Sequence, residues 1–270
     1  METHSPPRHT TRLLPGGFAL AAAIGSGDPR AAVLFLHGFG SNRHFFRHAF
    51  DAAALRGLMC VAPDLPGFGE SLAPAAYGFS MEAQAQVMLD FMESLGIEEF
   101  HLVAHSMGGL VAMEMVRLAP ERVRGLISLE GNLTGADCFF TRGIVALPYE
   151  GFERFGRADF VRRLQKLAQE TPPMAEYVES FRGTATVALY ESARHTVSHS
   201  AKGLIERFSA TPGASYVYGE RNRGRYDTEA LLVARGVPVY YIPNSGHFMA
   251  FDNPEDTFAL VGAIMRQHRP

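Results

Sequence analysis

Ser106 sits in the stretch LVAHSMGGLVA (102–112), between a short apolar run and a helix-like segment. The five residues AHSMG approach the pattern G-x-S-x-G, in which a serine occupies a sharp, strained strand-to-helix turn with its hydroxyl exposed. Such a turn crowds the strand against the helix, so the residues two before and two after the serine must be small. Here they are Ala104 and Gly108; alanine departs from the pattern but keeps the volume low. A serine in an ordinary tight turn is the bland alternative, and the strand-like run before and helical pattern after Ser106 weigh against it.

A serine hydroxyl is a poor nucleophile at neutral pH without a base. His247 lies in IPNSGHFMAFDNPE, just past the last apolar run, where a loop at a strand's carboxyl end could deliver one. The pairs His195 and His199, and His44 and His48, are each spaced for one helix face. Neither has a third ligand candidate nearby, so both read as solvated or packing residues and no metal is expected. Acyl transfer also needs donors for the oxyanion. In FLHGFGSNRHF the amide of Phe39 could face the amide of Met107, the residue after the serine. Donors of this kind are worth about 10²–10³ in rate apiece; a plain Gly-rich turn is the alternative.

These residues need a scaffold. The apolar runs at 31–38, 58–64, 100–106, 125–131, 215–220 and 238–247 predict strands. Their near-continuous apolar character suits a mostly parallel sheet covered on both faces. Between them, SMEAQAQVMLDFMESLG (80–96) predicts a helix capped by Ser80 and stopped at Gly96, and GGLVAMEMVRLAP one stopped at Pro120. NPEDTFALVGAIMRQH opens with Asn253 as N-cap, Pro254 at the first helical position and two acids in the first turn. Strand–helix alternation is the mark of an α/β fold. From about 132 to 212 it lapses: EGFERFGRADFVRRLQKLAQETPP and MAEYVESFRGTATVALYESARH both read as helical. An insertion after the strand ending at Glu130 would lie over the carboxyl ends of the strands, where ligands bind in such sheets. The expected division is therefore a core of 1–131 and 213–270 with a helical cap of 132–212.

The segments LHGFGSNRHFF, VAPDLPGFGES, LVAHSMGGLVAMEMVRLAPERV and IPNSGHFMAFDNPE, in this order, resemble the α/β-hydrolase superfamily, in its form with a helical cap. The resemblance implies Ser106 as nucleophile, His247 as base, Phe39 and Met107 as oxyanion hole, and Asp64 as a structural turn residue. It covers about Val33 to Pro254 and is specific for fold rather than substrate.

The acid is less plain. The family usually carries it in a pattern like G-E-x-D in the loop after the strand before last; here that loop reads VYGERNRGRYD and the position holds Asn222. An amide can orient an imidazole but cannot stabilise imidazolium as a carboxylate does. Glu130, ending LISLE in an otherwise apolar run, needs a partner if buried, and some members of the superfamily carry the acid at this strand end. Glu130 is the expected acid, with Asp227 and Glu220 as rivals; Asp227 could instead cap the helix TEALLVARG. The Phe-rich DCFFTRGIVALPYEGFERFG, with Phe39, His105 and Phe248 near the serine, suggests an apolar acyl or alcohol pocket. The cluster Arg154, Arg157, Arg162, Arg163 and Lys166 reads as a solvated helix face.

Composition fits this picture. The 270 residues carry a net charge of −3, well mixed, so no basic field points to nucleic acid. Cys60 and Cys138 are the only cysteines and read as reduced thiols. The polar start METHSPPRHTTRLLPGG lacks the apolar core of a signal peptide, and no run is long enough for a membrane span, so a cytoplasmic protein is expected. The expectation is a cofactor-free serine esterase-like hydrolase acting on a small-molecule carboxylic ester, thioester or amide, with a homodimer left open. Acyl transfer, lyase or carbon–carbon hydrolase chemistry on the same residues, and a non-catalytic ligand-binding receptor, are the alternatives. A serine in place of an aspartate nucleophile argues against the superfamily's dehalogenases and epoxide hydrolases.

Overall fold

A computed structural model describes residues 6–170, 174–200 and 203–267. The last residues of two expected helical stretches, 171–173 and His268, lie outside these, as do residues 1–5 of the N-terminal stretch and 201–202 within the expected cap. Eight strands form one sheet: β1 (Arg8–Leu14), β2 (Phe18–Ile24), β3 (Asp28–Leu36), β4 (Leu58–Pro63), β5 (Phe100–His105), β6 (Val123–Leu129), β7 (Ala214–Gly219) and β8 (Val239–Ile242). Their order is β1-β2-β4-β3-β5-β6-β7-β8. β2 pairs antiparallel with both β1 and β4, and all pairs from β4 to β8 are parallel. The six expected strands are β3 to β8, with ends shifted by up to three residues except in β8, which stops at Ile242, five residues before the end of the expected run at 238–247.

The parallel strands are apolar throughout because helices cover both faces. The side chains of Val33, Leu34, Phe35, Leu36, Leu102 and Val103 are wholly buried, each worth about 1.5–3 kcal/mol relative to exposure. α1 (Met81–Ser94) begins where Ser80 accepts a hydrogen bond from the Ala83 amide at 3.1 Å. It packs against α2 (Met107–Leu118), which follows β5 directly. At the chain's end, α11 (Pro254–Gln267) starts where Asn253 Oδ1 accepts from the Asp256 amide.

Between β6 and β7 the described residues hold helices and no strand. These are a 3₁₀ turn over Gly135–Asp137, α3 (Phe139–Val145), α4 (Tyr149–Gly151), a π-helical turn over Phe152–Gly156, α5 (Arg157–Glu170), α6 (Met174–Gly183), α7 (Thr186–Ser200) and α8 (Ile205–Ser209). The stretch expected as helical from Met174 is thus two helices. Arg157 joins its neighbours rather than facing solvent with the other basic residues: it donates to Thr186 Oγ1 and to the carbonyls of Arg182 and Thr184. These three acceptors lie at the end of α6 and the start of α7, where helix termini leave groups to be satisfied. After β7 come α9 (Asp227–Val233) and, past β8, α10 (Met249–Asp252).

Strand order reverses between β3 and β5: the chain steps from β3 to β4 on one side, then returns to place β5 on the other. Loops leaving the carboxyl ends of these two strands diverge and open a crevice there. Residues 37–39 and Ser106 leave the sheet at this place.

Candidate active site

Ser106 joins β5 to α2 with φ 51° and ψ −122°. Such a conformation costs a non-glycine residue about 1–3 kcal/mol and persists where the surroundings fix it. Here the Ser106 amide donates to the Leu129 carbonyl at 3.0 Å, and the Ser106 carbonyl accepts from Gly109 at 2.9 Å. Gly108 is needed for closeness: a Cβ on it would lie 2.5 Å from the Leu36 carbonyl oxygen and 2.6 Å from that of His37. Met107 is the first residue of α2, so its amide has no acceptor within the helix. The loop after β3 passes against the serine, since a Cβ on Gly38 would lie 3.0 Å from Ser106 Cβ. That loop is tied down by His37, whose Nδ1–H donates to the Gly38 carbonyl while Nε2 accepts from the Leu65 amide, both at 2.9 Å. Burial holds His37 below the ordinary histidine range, so the neutral ring that these two bonds require is the stable one.

One strand further along, Glu130 also has a positive φ, 46°, and its amide donates to Val217 at 3.0 Å. Its carboxylate is 4% exposed and fully partnered. Oε1 accepts from the Gly219 amide at 2.8 Å, and Asn222 Nδ2 lies 3.1 and 2.9 Å from Oε1 and Oε2. His247 Nδ1 is 2.8 Å from Oε2. Asn222, at the position where a carboxylate was sought, instead supplies a donor to Glu130, and its own oxygen accepts from Arg225 at 3.1 Å. Asp227 is exposed in the first turn of α9, where Tyr226 rather than Asp227 holds the N-cap position. Glu220 accepts from the Asn244 amide at 3.3 Å.

His105, expected to face substrate, has its Nε2–H on the carbonyl of His247 at 2.8 Å, and its ring stacks on Phe45 with centroids 4.3 Å apart. Burial, then the nearby His247, push its pKa well below the usual value. A neutral His105 thus holds the backbone of the histidine that follows β8.

Ser106, His247, Phe39, His105 and Phe248 all line one cavity, with room for about one water molecule at about 10 Å³. The remaining lining comes from beyond β6 and includes Asn132, Phe139, Phe140 and Tyr177. The rings of Phe139 and Phe248 meet the His247 ring edge-on, with centroids 5.1 and 5.3 Å away. Ser106 Oγ donates to Asn132 Oδ1 at 3.3 Å; among the described residues it has no hydrogen bond to His247. Asn132 is itself fixed, since its Nδ2 donates to the Asp137 carbonyl at 2.7 Å. Neither Asn132 nor Tyr177 was singled out from sequence. Asn132 had a faint signal, an amide two residues past a carboxylate at a strand end; Tyr177 had none.

Asp64 is fully buried and organises a turn, accepting from the Arg43 amide at 2.7 Å and the Glu70 amide at 2.8 Å and pairing with the Arg43 guanidinium. Among the described residues no group of three or more His, Cys, Asp or Glu could hold a metal ion, and no helix is long and apolar enough to cross a membrane. His199 bonds to Glu114 at 3.1 Å.

The sheet order, the serine turn and the histidine loop define a fold, and residues 31–177, more than half of the chain, match the family described as alpha/beta hydrolase fold. The chain belongs to that family. Haloalkane dehalogenase 2 of Mycobacterium tuberculosis is 27% identical over 258 residues, 88% of this chain and 87% of that protein. Epoxide hydrolase 2 of Siraitia grosvenorii is 29% identical over 198 residues, 66% of this chain but only 61% of that protein's length. Among solved structures, a thermophilic esterase from Thermogutta terrifontis superposes with a TM-score of 0.75 at 19% identity, covering 98% of this chain and all of that one. The N-acyl homoserine lactonase AidH does so with a TM-score of 0.76 at 20% identity, covering 97% of each. At these identities the structural likeness concerns the fold.

Proposed function

We propose that this chain is a serine hydrolase that cleaves a carboxylic ester, or a related thioester or amide, through an acyl-enzyme on Ser106. The observation that carries the reading is the strained serine turn sharing a cavity with a histidine whose Nδ1 is bonded to the buried Glu130. Relatives named as a dehalogenase and an epoxide hydrolase support hydrolytic chemistry in general; a serine hydroxyl at the turn points it to acyl groups.

In this reading Glu130 fixes the tautomer of His247: Nδ1 carries the hydrogen, so Nε2 is the free base. The Ser106 hydroxyl leaves Asn132 by rotation about its Cα–Cβ bond and gives its proton to Nε2 as Oγ attacks the carbonyl carbon. Glu130 stabilises the imidazolium so formed, and the Phe39 and Met107 amides hold the oxyanion. Collapse of the adduct expels the alcohol, thiol or amine, which takes the proton from His247. Water, deprotonated by His247, then releases the acid and restores the serine. The helices of 132–212 act as the cap, and their aromatic side chains define an apolar acyl or alcohol pocket that opens to admit substrate. No cofactor enters this scheme.

A panel of p-nitrophenyl esters of graded acyl length, with thioesters beside them, tests the chemistry, and a fluorophosphonate probe tests the nucleophile. Ser106→Ala is expected to lower turnover at least about a thousandfold and to abolish labelling, with an unchanged circular dichroism spectrum. Retention of most activity or of labelling would overturn the assignment.

A further inference from the structure

We infer that Tyr177 is a positioning residue for the oxyanion hole, so that helix α6 must be seated on the core for the Phe39 amide to be in place. The inference rests on the serine-hydrolase reading above and adds a condition to it.

Tyr177 is 2% exposed, and its hydroxyl donates to the Phe39 carbonyl at 2.9 Å. Burial pushes its phenol up, so it remains a donor at any working pH. Phe39 is the residue whose amide is assigned to the oxyanion. A hydrogen bond to its carbonyl restrains the peptide plane that follows, and with it the φ/ψ pair that aims the amide. The Phe39 ring meets Phe181 of the same helix edge-on, with centroids 6.0 Å apart, and the next residue of the loop presents no side chain. Gly40, next in sequence, has φ +66°, and a Cβ there would lie 2.5 Å from Phe181 and 3.1 Å from the Tyr177 hydroxyl. The contact between α6 and the loop is therefore as close as backbone allows. The Tyr177 ring packs on Phe248, beside His247, with centroids 4.9 Å apart. One side chain thus touches the loops that carry both the oxyanion donor and the base.

Tyr177 is also the wall between two spaces. It lines the cavity at Ser106, with room for about one water, and equally a pocket of about 560 Å³ open to solvent and bounded by Asn42, Glu70 and Glu179. A substrate cannot occupy the inner space as it stands. Displacing α6 to admit one breaks the Tyr177–Phe39 bond, and closing over the substrate remakes it. For a bound substrate the oxyanion site is then complete only once α6 has closed over it, which limits reaction with groups that the cap does not close upon.

The test compares wild type with Tyr177→Phe on a p-nitrophenyl ester, and measures inhibition by a phenylboronic acid, whose tetrahedral serine adduct fills the oxyanion site. Removing the hydroxyl loosens one donor without deleting it, so kcat should fall by about five- to thirtyfold, less than the 10²–10³ for outright loss. KM should stay within about twofold, and boronate affinity should fall by the same factor as kcat. Gly40→Ala, which keeps Tyr177 but props α6 off the loop, should reproduce this pattern. Wild-type kcat in Tyr177→Phe, or a change confined to KM, would overturn the inference and leave Tyr177 a pocket wall. Wild type without serine-dependent turnover would overturn the hydrolase reading and this inference with it; turnover in wild type with an unaffected Tyr177→Phe would overturn this one alone.

Discussion

Glu130 and Asn222 share one hydrogen-bonded cluster, and moving the negative charge from the first to the second tests whether Glu130 is the acid. Its Oε2 lies 2.8 Å from His247 Nδ1. Placing the charge centres about 4 Å apart in a medium of effective dielectric about 20, the attraction for an imidazolium is about 4 kcal/mol, or about 10³ in rate. The loss of about 10⁴ on replacing a triad aspartate by asparagine in a serine protease sets the upper end. Glu130→Gln should therefore lose about 10³–10⁴ in kcat/KM, while Asp227→Asn, exposed and elsewhere, should stay within about twofold. Asn222→Asp alone would put a second carboxylate where Nδ2 now lies, 2.9 and 3.1 Å from the Glu130 oxygens. Two carboxylates so close cannot both ionise, so one titrates upward and activity should require a higher pH. In the double variant Glu130→Gln, Asn222→Asp the charge returns to the cluster, one partner further from His247. At least about a tenfold recovery over Glu130→Gln is expected. The assay is kcat/KM for a p-nitrophenyl ester from pH 5 to 9, with a thermal melt on each variant. Glu130→Gln at more than about a tenth of wild-type activity, with an inactive Asp227→Asn, would refute the reasoning.

Two further outcomes follow from packing and charge. Gly108→Ala would drive a methyl group to within 2.6 Å of two carbonyl oxygens at the end of β3; overpacking of about 1–3 kcal/mol should lower the melting temperature by several degrees, and an unchanged melt would count against the close approach. Glu114, on α2, is bonded by His199, Arg117 and Arg207; burial alone would raise its carboxyl, but these bonds outweigh it and bring it to about 2. A depressed carboxyl stabilises above its unfolded value near 4.5 and loses that stabilisation as pH falls toward 2. Because Arg117 and Arg207 face solvent, about 2 kcal/mol is at stake rather than the roughly 3 of the full shift. Glu114→Gln should flatten chemical-denaturation stability between pH 4.5 and 2 relative to wild type; parallel curves would disprove the contribution.

The parallel strands were legible in the sequence because burial on both faces leaves continuous apolar runs such as AAVLFL and FHLVAH. β1 and β2 were not. β1 reads RHTTRLL with mostly exposed side chains, as an edge strand does, and β2 reads FALAAAI, whose alanines carry little strand preference. The serine turn showed itself because crowding demands small residues at fixed offsets. His247 stood out by following the final strand. Glu130 is suggested by a lone carboxylate ending an apolar run, but spacing along the chain cannot say that Asn222 from another loop donates to it. Tyr177 meets Phe39 across 138 residues. No local pattern encodes such a contact, and a tyrosine on a helix is more often simply packed. Arg157 is hidden for the same reason: its acceptors are two carbonyls and a hydroxyl at helix ends, which composition does not locate.

The segment between β6 and β7 leaves and rejoins the sheet at neighbouring strands, and its two ends touch. Ser200 Oγ donates to the Asn132 carbonyl at 3.1 Å, and the Leu204 amide to the Leu133 carbonyl at 3.4 Å. To the sheet, the whole helical excursion is therefore equivalent to a short loop closed at its neck. The entropy of closing a loop grows only with the logarithm of its length, each doubling costing about 0.6 kcal/mol. Helices could be lengthened, shortened or exchanged beyond that neck with little effect on whether the strands assemble. The constraint falls on the few side chains that reach the floor, while the rest of the excursion is free to diverge.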